Sequence, residues 1–392
     1  MSLNKTYDYI VIGAGSAGCV LANRLSENPD SSVLLLEAGS KDSNPWIHVP
    51  IGYFKTMHNP KTDWCYMTEP DPGINGRQLQ WPRGKVLGGS SSLNGLLYVR
   101  GQKEDYDDWA ELGNKGWSYE DILPYFKKSE NQERGADKYH GVGGPLAVSN
   151  IRIRREICDK FIDAAEQVGI PRNEDSNGET QEGVGYFQLT INQNGTRCST
   201  AVGFLRPALK RPNLDAATKA QVHRIVFEGN RAVGLDVEIN GQMTHIRCNK
   251  EIVLSAGAIN SPQLLMLSGV GDRNELEKHG ISVVKDMPGV GKNLQDHLQI
   301  RTIYKVNKPI TLNDEVNNPI RKVMMGIEYA LFRTGPLTMA ASQVCIFTKT
   351  DDTMERPDIQ YHLQPLSADK PADGTHRFSA FTASVCQLRP TS

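Results

Sequence analysis

Between Tyr7 and Gly39 the spacing of apolar residues changes twice. Tyr7 to Ile12 is a run of β-formers, a helical segment extends to about Ser26, and Val33 to Leu36 is a second apolar run ending in Glu37. The pattern predicts strand, helix and strand. Farther along, Ile153, Ile157, Phe161, Ala164 and Val168 recur at helical spacing, and Gly169 and Pro171 stop that helix. Its flanking Arg152, Arg154 and Arg155 are expected on a solvated face. Ser118 with Asp121 predicts a helix start before Ile122 to Lys128, with Pro124 expected to bend or shorten the helix.

From Val222 the period falls to two. His223 to Glu228, Ala232 to Ile239 and Met243 to Cys248 read as an antiparallel meander, and Asn240-Gly241 is a type I′ hairpin signal. A separate strand, Glu251 to Leu254, leads toward Ser261-Pro262, which reads as an N-cap followed by proline at the first helical position. Leu214 to Thr218 fits a strand except at Asp215, where a β-former is expected. Beyond about Leu298, Gln343 to Phe347 and Ile359 to Leu363 predict a second sheet, with a helix near Ile327 to Phe332. Asp42 to Pro82 has little periodicity and is expected to be a lid or ligand-covering excursion whose aromatics mainly pack.

Composition narrows the function. The 392 residues carry 44 Lys and Arg against 45 Asp and Glu, a net charge of −1, which gives no electrostatic footprint for nucleic acid. Seven cysteines, odd in number and never in a CxxC pair, predict free thiols in a reducing compartment, with cytoplasm as the expected location. Ile252 to Gly271 is twenty residues without a charge, yet its Gly, Pro, Asn and Gln argue against a transmembrane segment and for buried strand, turn and helix.

The first strand runs into Gly13-Ala14-Gly15-Ser16-Ala17-Gly18, a GxGxxG fingerprint in the context it requires. Gly13 permits the tight turn, Gly15 lets a pyrophosphate approach the backbone, and Gly18 lets helix and strand pack closely. The helix N-terminus then offers unpaired N–H groups to phosphate. Glu37, nineteen residues after Gly18, is placed to accept hydrogen bonds from a ribose 2′-OH and would repel a 2′-phosphate. NADP is therefore disfavoured, while FAD and NAD remain open.

A second glycine-rich run, Gly84 to Gly95 with Val86, Leu87 and Leu93 interleaved, offers N–H groups and small hydroxyls to a planar polar ligand. This run, from Gly84 through Asn94 to Gly101, resembles the first signature of the glucose-methanol-choline (GMC) oxidoreductase family. Gly257 to Gly271 resembles the second, and Tyr139-His140-Gly141, Gly144-Pro145-Leu146 and Pro288 to His297 resemble further family motifs. The resemblance covers essentially the whole chain and extends to members of the choline dehydrogenase kind.

The resemblance implies a mixed α/β fold: a Rossmann-like FAD-binding domain with an inserted antiparallel meander, plus part of a substrate domain on a second antiparallel sheet. The implied boundaries are 1–147 and 197–297 for the FAD domain, and 148–196 and 298–392 for the substrate domain. It makes the cofactor FAD, held by Gly13, Gly15, Ser16, Ala17, Gly18, Glu37 and Ala38 on the ADP half. Val86, Gly89, Ser90, Asn94, Gly95, Leu96 and Leu97 would lie along the flavin, with Val222, Ala256 and Gly257 completing the site. Leu93 stands where some members carry a histidine bonded to flavin, so attachment is expected to be non-covalent.

The implied reaction is oxidation of a primary alcohol to an aldehyde by hydride transfer to the flavin, with oxygen, a quinone or another acceptor taking the electrons. The family's C-terminal catalytic histidine motif is not found among the nine histidines. The chain is thus expected to be the N-terminal two thirds of such an enzyme, inactive alone, with no catalytic residue assigned and no metal. His297 and His362 are expected to be structural. A non-redox lyase or decarboxylase and a silent FAD-binding module are the alternatives.

Overall fold

The computed structural model describes residues 5–369 and 374–391. Two sheets organise it. Their strands, in chain order, are β1 (Thr6–Ile12), β2 (Val33–Glu37), β3 (Gly183–Tyr186), β4 (Leu214–Thr218), β5 (Ala220–Glu228), β6 (Arg231–Ile239), β7 (Gln242–Leu254), β8 (Gln299–Lys305), β9 (Val344–Thr348), β10 (Ile359–Gln364) and β11 (Ala380–Gln387).

The first sheet has the order β4-β2-β1-β7-β6-β5. Its β4, β2, β1 and β7 run parallel, and β5 to β7 form the antiparallel meander. All five residues of β2 are buried, as expected of a parallel strand covered on both faces. Alternation divides the core accordingly: Ile10, Ile12, Leu34 and Leu36 pack with Leu235 and Ile246 on one face. Val11, Val33 and Leu35 pack on the other against Cys19 and Ala22 of helix α1 (Ser16–Leu25). The second sheet has the order β8-β11-β10-β9-β3 and is antiparallel throughout. It buries one face on helix α2 (Glu156–Gln167). The fold is thus the mixed α/β architecture that the sequence implies.

Several details differ from expectation. The two strands Met243–Cys248 and Glu251–Leu254 are one, β7, whose register against β1 shifts between Tyr7 and Tyr9, so an irregularity replaces the expected break. Asn240 and Gly241 do take the positive φ angles, 51° and 80°, of a type I′ turn. Asp215 sits within β4, where its carboxylate accepts a 2.6 Å hydrogen bond from the hydroxyl of Tyr7 on β1, two strands away in the sheet. The helix after β7 begins at Gly257 and carries Pro262 inside it, rather than starting at Ser261. Most of Ile252 to Leu267 is half-buried, with Leu264 the buried residue of this helix. The Ser118-capped helix runs through Pro124 from Tyr119 to Ser129 without being shortened. In α2 the buried face is Ile157, Cys158, Ile162 and Ala165, while Val168 is 77% exposed. Arg155 is not solvated; it is buried and forms a forked pair with Glu315, at 3.0 and 3.1 Å.

The Tyr139-His140-Gly141 motif belongs to a buried charge network. The fully buried Glu130 accepts from Arg100 Nη2, His140 Nδ1 and the Gly141 N–H, each at 3.0 Å, and His140 Nε2 reaches Asp175 at 2.8 Å. Burial alone would lower the His140 pKa, but the Asp175 and Glu130 carboxylates outweigh it and hold it up at about 9. His140 is therefore an imidazolium clamp at neutral pH. Removing one member of such a network strands the others. Glu130→Ala should lower the unfolding free energy by about 3–5 kcal/mol, measured by urea denaturation, whereas Glu228→Ala, at the exposed Arg247 pair, should cost roughly 0–1 kcal/mol.

Candidate dinucleotide-binding site

At the C-terminal ends of β1, β2 and β7 the chain encloses a cavity of about 500 Å³. This is where ligands bind in open α/β sheets. The first wall is the β1–α1 turn. Gly13 has φ +92°, and a Cβ there would lie 2.7 Å from the Ser255 carbonyl. At Gly18 a Cβ would lie 1.8 Å from the Gly13 carbonyl, so helix and strand meet only because both positions are glycine. Ser255 Oγ supports the same turn, donating to the Ile12 and Gly13 carbonyls at 2.9 Å. Helix α1 begins after Gly15 with no side-chain cap, and Gly15, Ser16 and Ala17 line the cavity. Its first-turn N–H groups and helix dipole therefore suit an anionic group.

The second wall is the loop from Gly84 to Asn94. Gly88, at φ +87°, donates its N–H to the Ala14 carbonyl at 2.8 Å, and a Cβ at Gly89 would lie 2.6 Å from Gly15 Cα. Two glycine turns are thus pressed together, and Gly89 and Ser90 line the cavity beside the helix end. By contrast, a Cβ at Gly15 or Gly257 meets nothing within 4 Å. The open space at these two glycines is what a pyrophosphate needs for close backbone approach.

Glu37 ends β2 at the cavity wall. It is 5% exposed, and its carboxylate accepts from the Ala14 N–H at 2.9 Å and the Gly39 N–H at 2.8 Å. Burial pushes its pKa up to about 7, against the opposing pull of those N–H groups and Lys85. Each oxygen retains acceptor capacity for a ribose hydroxyl.

Of the residues assigned from sequence, Gly13, Gly15, Ser16, Ala17, Glu37, Ala38, Gly89, Ser90, Val222, Ala256 and Gly257 line this one cavity. Gly18 stands behind it, in the helix–strand contact. Val86 is buried with Ile47 and Leu93. Asn94 is exposed, Gly95 half-buried, and Leu96, at φ +68°, is buried with Phe187 and Leu189. Leu97 pairs with Leu189. These four therefore continue the loop away from the cavity. His362 stacks on Phe187 at 5.4 Å, and burial together with the charge of His297 lowers its pKa to about 4.

Sequence reasoning missed Trp64, Arg83, Ser255, Asn260 and Gln263, which also line the cavity. Trp64 comes from the aperiodic excursion; Lys85 lies 4.3 Å over its ring, and it stacks on Tyr66. Asn260 meets the Tyr66 hydroxyl at 2.8 Å. An uncharged helix bearing a lone Asn was the available signal for it.

The family model described as GMC oxidoreductase matches residues 7–299, three quarters of the chain and all of this cavity. The chain belongs to the GMC oxidoreductase family. Among curated GMC relatives, mitochondrial choline dehydrogenase of Homo sapiens is 45% identical over 393 residues, covering 98% of this chain and 66% of the relative. The oxygen-dependent choline dehydrogenase of Brucella suis biovar 1 is 43% identical, covering 98% of this chain and 70% of the relative. The chain thus spans about two thirds of the length of these proteins. Among solved structures, pyridoxine 4-oxidase from Mesorbium loti superposes with a TM-score of 0.86 at 32% identity, covering 98% of this chain and 72% of that one. A formate oxidase of Aspergillus oryzae, solved for effects on FAD modification, gives a TM-score of 0.90 at 25% identity, covering 100% and 74%.

A carboxyl whose pKa is raised on folding contributes stability that is full below the unfolded value, 4.5, and is lost as pH rises through about 7. Glu37→Gln cannot ionise and lacks that loss. The melting temperature of Glu37→Gln relative to the parent, both free of ligand, should therefore rise between about pH 5 and about pH 8. A difference independent of pH would show that Glu37 is not held in this state.

Proposed function

We propose that this cavity holds the ADP half of FAD and that the protein to which the chain belongs oxidises a primary alcohol to an aldehyde. The observation that carries the reading is the pair of abutting glycine turns that open onto one helix N-terminus and one buried acid. The flavin of FAD supplies the hydride acceptor when bound. The residues of this chain would do the holding: the first turn of α1 would face the pyrophosphate, Glu37 would accept from the ribose diol, and Val222 would meet the adenine. Asn94 to Leu97 continue from the cavity wall and would lie along the flavin.

The names of the relatives favour a small alcohol of the choline class as substrate, with oxygen, a quinone or another electron acceptor. Leu93, 3% exposed, has a side chain with no group able to bond to flavin, which supports a non-covalently held FAD. The general base belongs, in this reading, to the third of the relatives' length that the chain does not span. In this reading the domains divide at 147/148, 196/197 and 297/298; the pairing of β3 with β9 supports placing 148–196 and 298–392 in one substrate domain. Among the described residues no helix is long and apolar enough to cross a membrane. Seven free cysteines, six of them buried, fit a cytoplasmic location.

The chain should purify with FAD that acid or heat releases completely, read by absorbance of the supernatant. Added anaerobically, primary alcohols including choline should bleach it roughly 10²- to 10⁴-fold more slowly than a protein with a positioned base. A chain that binds no FAD contradicts the cofactor reading. Rapid bleaching contradicts the placement of the base.

A further inference from the structure

Among the described residues three arginines are buried: Arg100, Arg155 and Arg197. The first two face carboxylates, Glu130 and Glu315, each at 3.0 Å. Arg197, only 1% exposed, does not. Its donors go to the carbonyls of Ile47 at 2.9 Å, Pro50 at 3.5 Å, Ser91 at 3.1 Å and Asn94 at 2.8 Å, and to Asn94 Oδ1 at 2.8 Å. Every acceptor is neutral, and among the described residues no carboxylate lies within ion-pair distance of it. The neighbouring Tyr53 is buried, and burial pushes its pKa up to about 12, so it brings no negative charge at neutral pH.

An ion taken out of water costs several kcal/mol. Carbonyl dipoles offset part of this cost but leave the net charge in place. Its position is specific. Of the residues it grips, Ser91 follows directly on Gly89 and Ser90 of the cavity wall, and Asn94 lies three residues farther along the same loop. The guanidinium therefore sits behind the end of the loop that leads from the ADP cavity toward the proposed flavin segment, and it binds the first residue of that segment, Asn94, directly.

We propose that Arg197 is a positioning residue whose uncompensated charge favours the reduced, anionic state of the bound flavin. The inference rests on the FAD reading above. The balance is explicit: the alcohol loses a hydride from carbon to the flavin and a proton from oxygen to a base, leaving the aldehyde. A flavin that has gained a hydride without a further proton carries one added negative charge. A nearby cation lowers the energy of that state relative to the oxidised one, as fixed charge near a cofactor tunes its electronics.

Asn94→Asp is the direct test, because it places a carboxylate against the guanidinium with almost no change of shape. Oδ1 also accepts from the Leu96 N–H at 3.1 Å, a bond that aspartate keeps. The full chain carrying Asn94→Asp should bind reduced FAD relative to oxidised FAD at least about tenfold less favourably than the parent. That is a midpoint potential about 30 mV lower for a two-electron couple, read by redox titration against a reference dye. Arg197→Lys keeps the charge and loses the fork, so it should weaken FAD binding while leaving the potential near that of the parent. An unchanged potential in Asn94→Asp, or an equal fall in Arg197→Lys, overturns the proposal while leaving the FAD reading intact. Absence of FAD from the parent chain overturns both.

Discussion

The contact on which the site depends is the meeting of two glycine turns. Gly88 donates to the Ala14 carbonyl, and Gly89 approaches Gly15 so closely that no Cβ fits between them. Behind them Gly18 rests on the Gly13 carbonyl. A side chain at Gly89 would push the second loop off the helix end, and the cavity would lose a wall. The same close packing leaves Gly15 and Gly257 facing open space, so the backbone itself forms the binding surface. Glu37 is tied into this arrangement through the Ala14 N–H, which makes the acid part of the turn as well as of the site.

Charge is distributed with equal economy. Two buried cations, Arg100 and the His140 imidazolium, share Glu130, and Asp175 takes the other side of His140. Arg155 has Glu315. These pairs satisfy the requirement that a buried charge be matched. Arg197 departs from it, and it does so next to the loop that continues from the cofactor cavity. Departures from local consistency are expected at functional sites.

The dinucleotide half of the site was legible in the sequence because its chemistry is local. Glycine spacing, a strand before it, a helix after it and an acid at the end of the next strand lie within Tyr7 to Glu37. The meander was legible for the same reason, since Asn240-Gly241 specifies its own turn. What was not legible depends on tertiary contact. Asp215 is held in its strand by the Tyr7 hydroxyl, which reaches it from two strands away, and Arg155 is matched in its buried position by Glu315, 160 residues away. The apolar face of α2 was misread by about one residue because Ala164 and Val168 are equally apolar whether or not they are covered. Trp64 carried no periodic signal at all, and Pro262 misled because its missing N–H costs one bond in a helix that starts earlier.

The most direct test is hydrogen–deuterium exchange of the chain with and without FAD. Protection should appear at Gly15 to Ala17, at Gly89 and Ser90 and at Ala256 to Ala258, backbone that lines the cavity. Unchanged exchange there, or protection confined to the second sheet, would contradict the account.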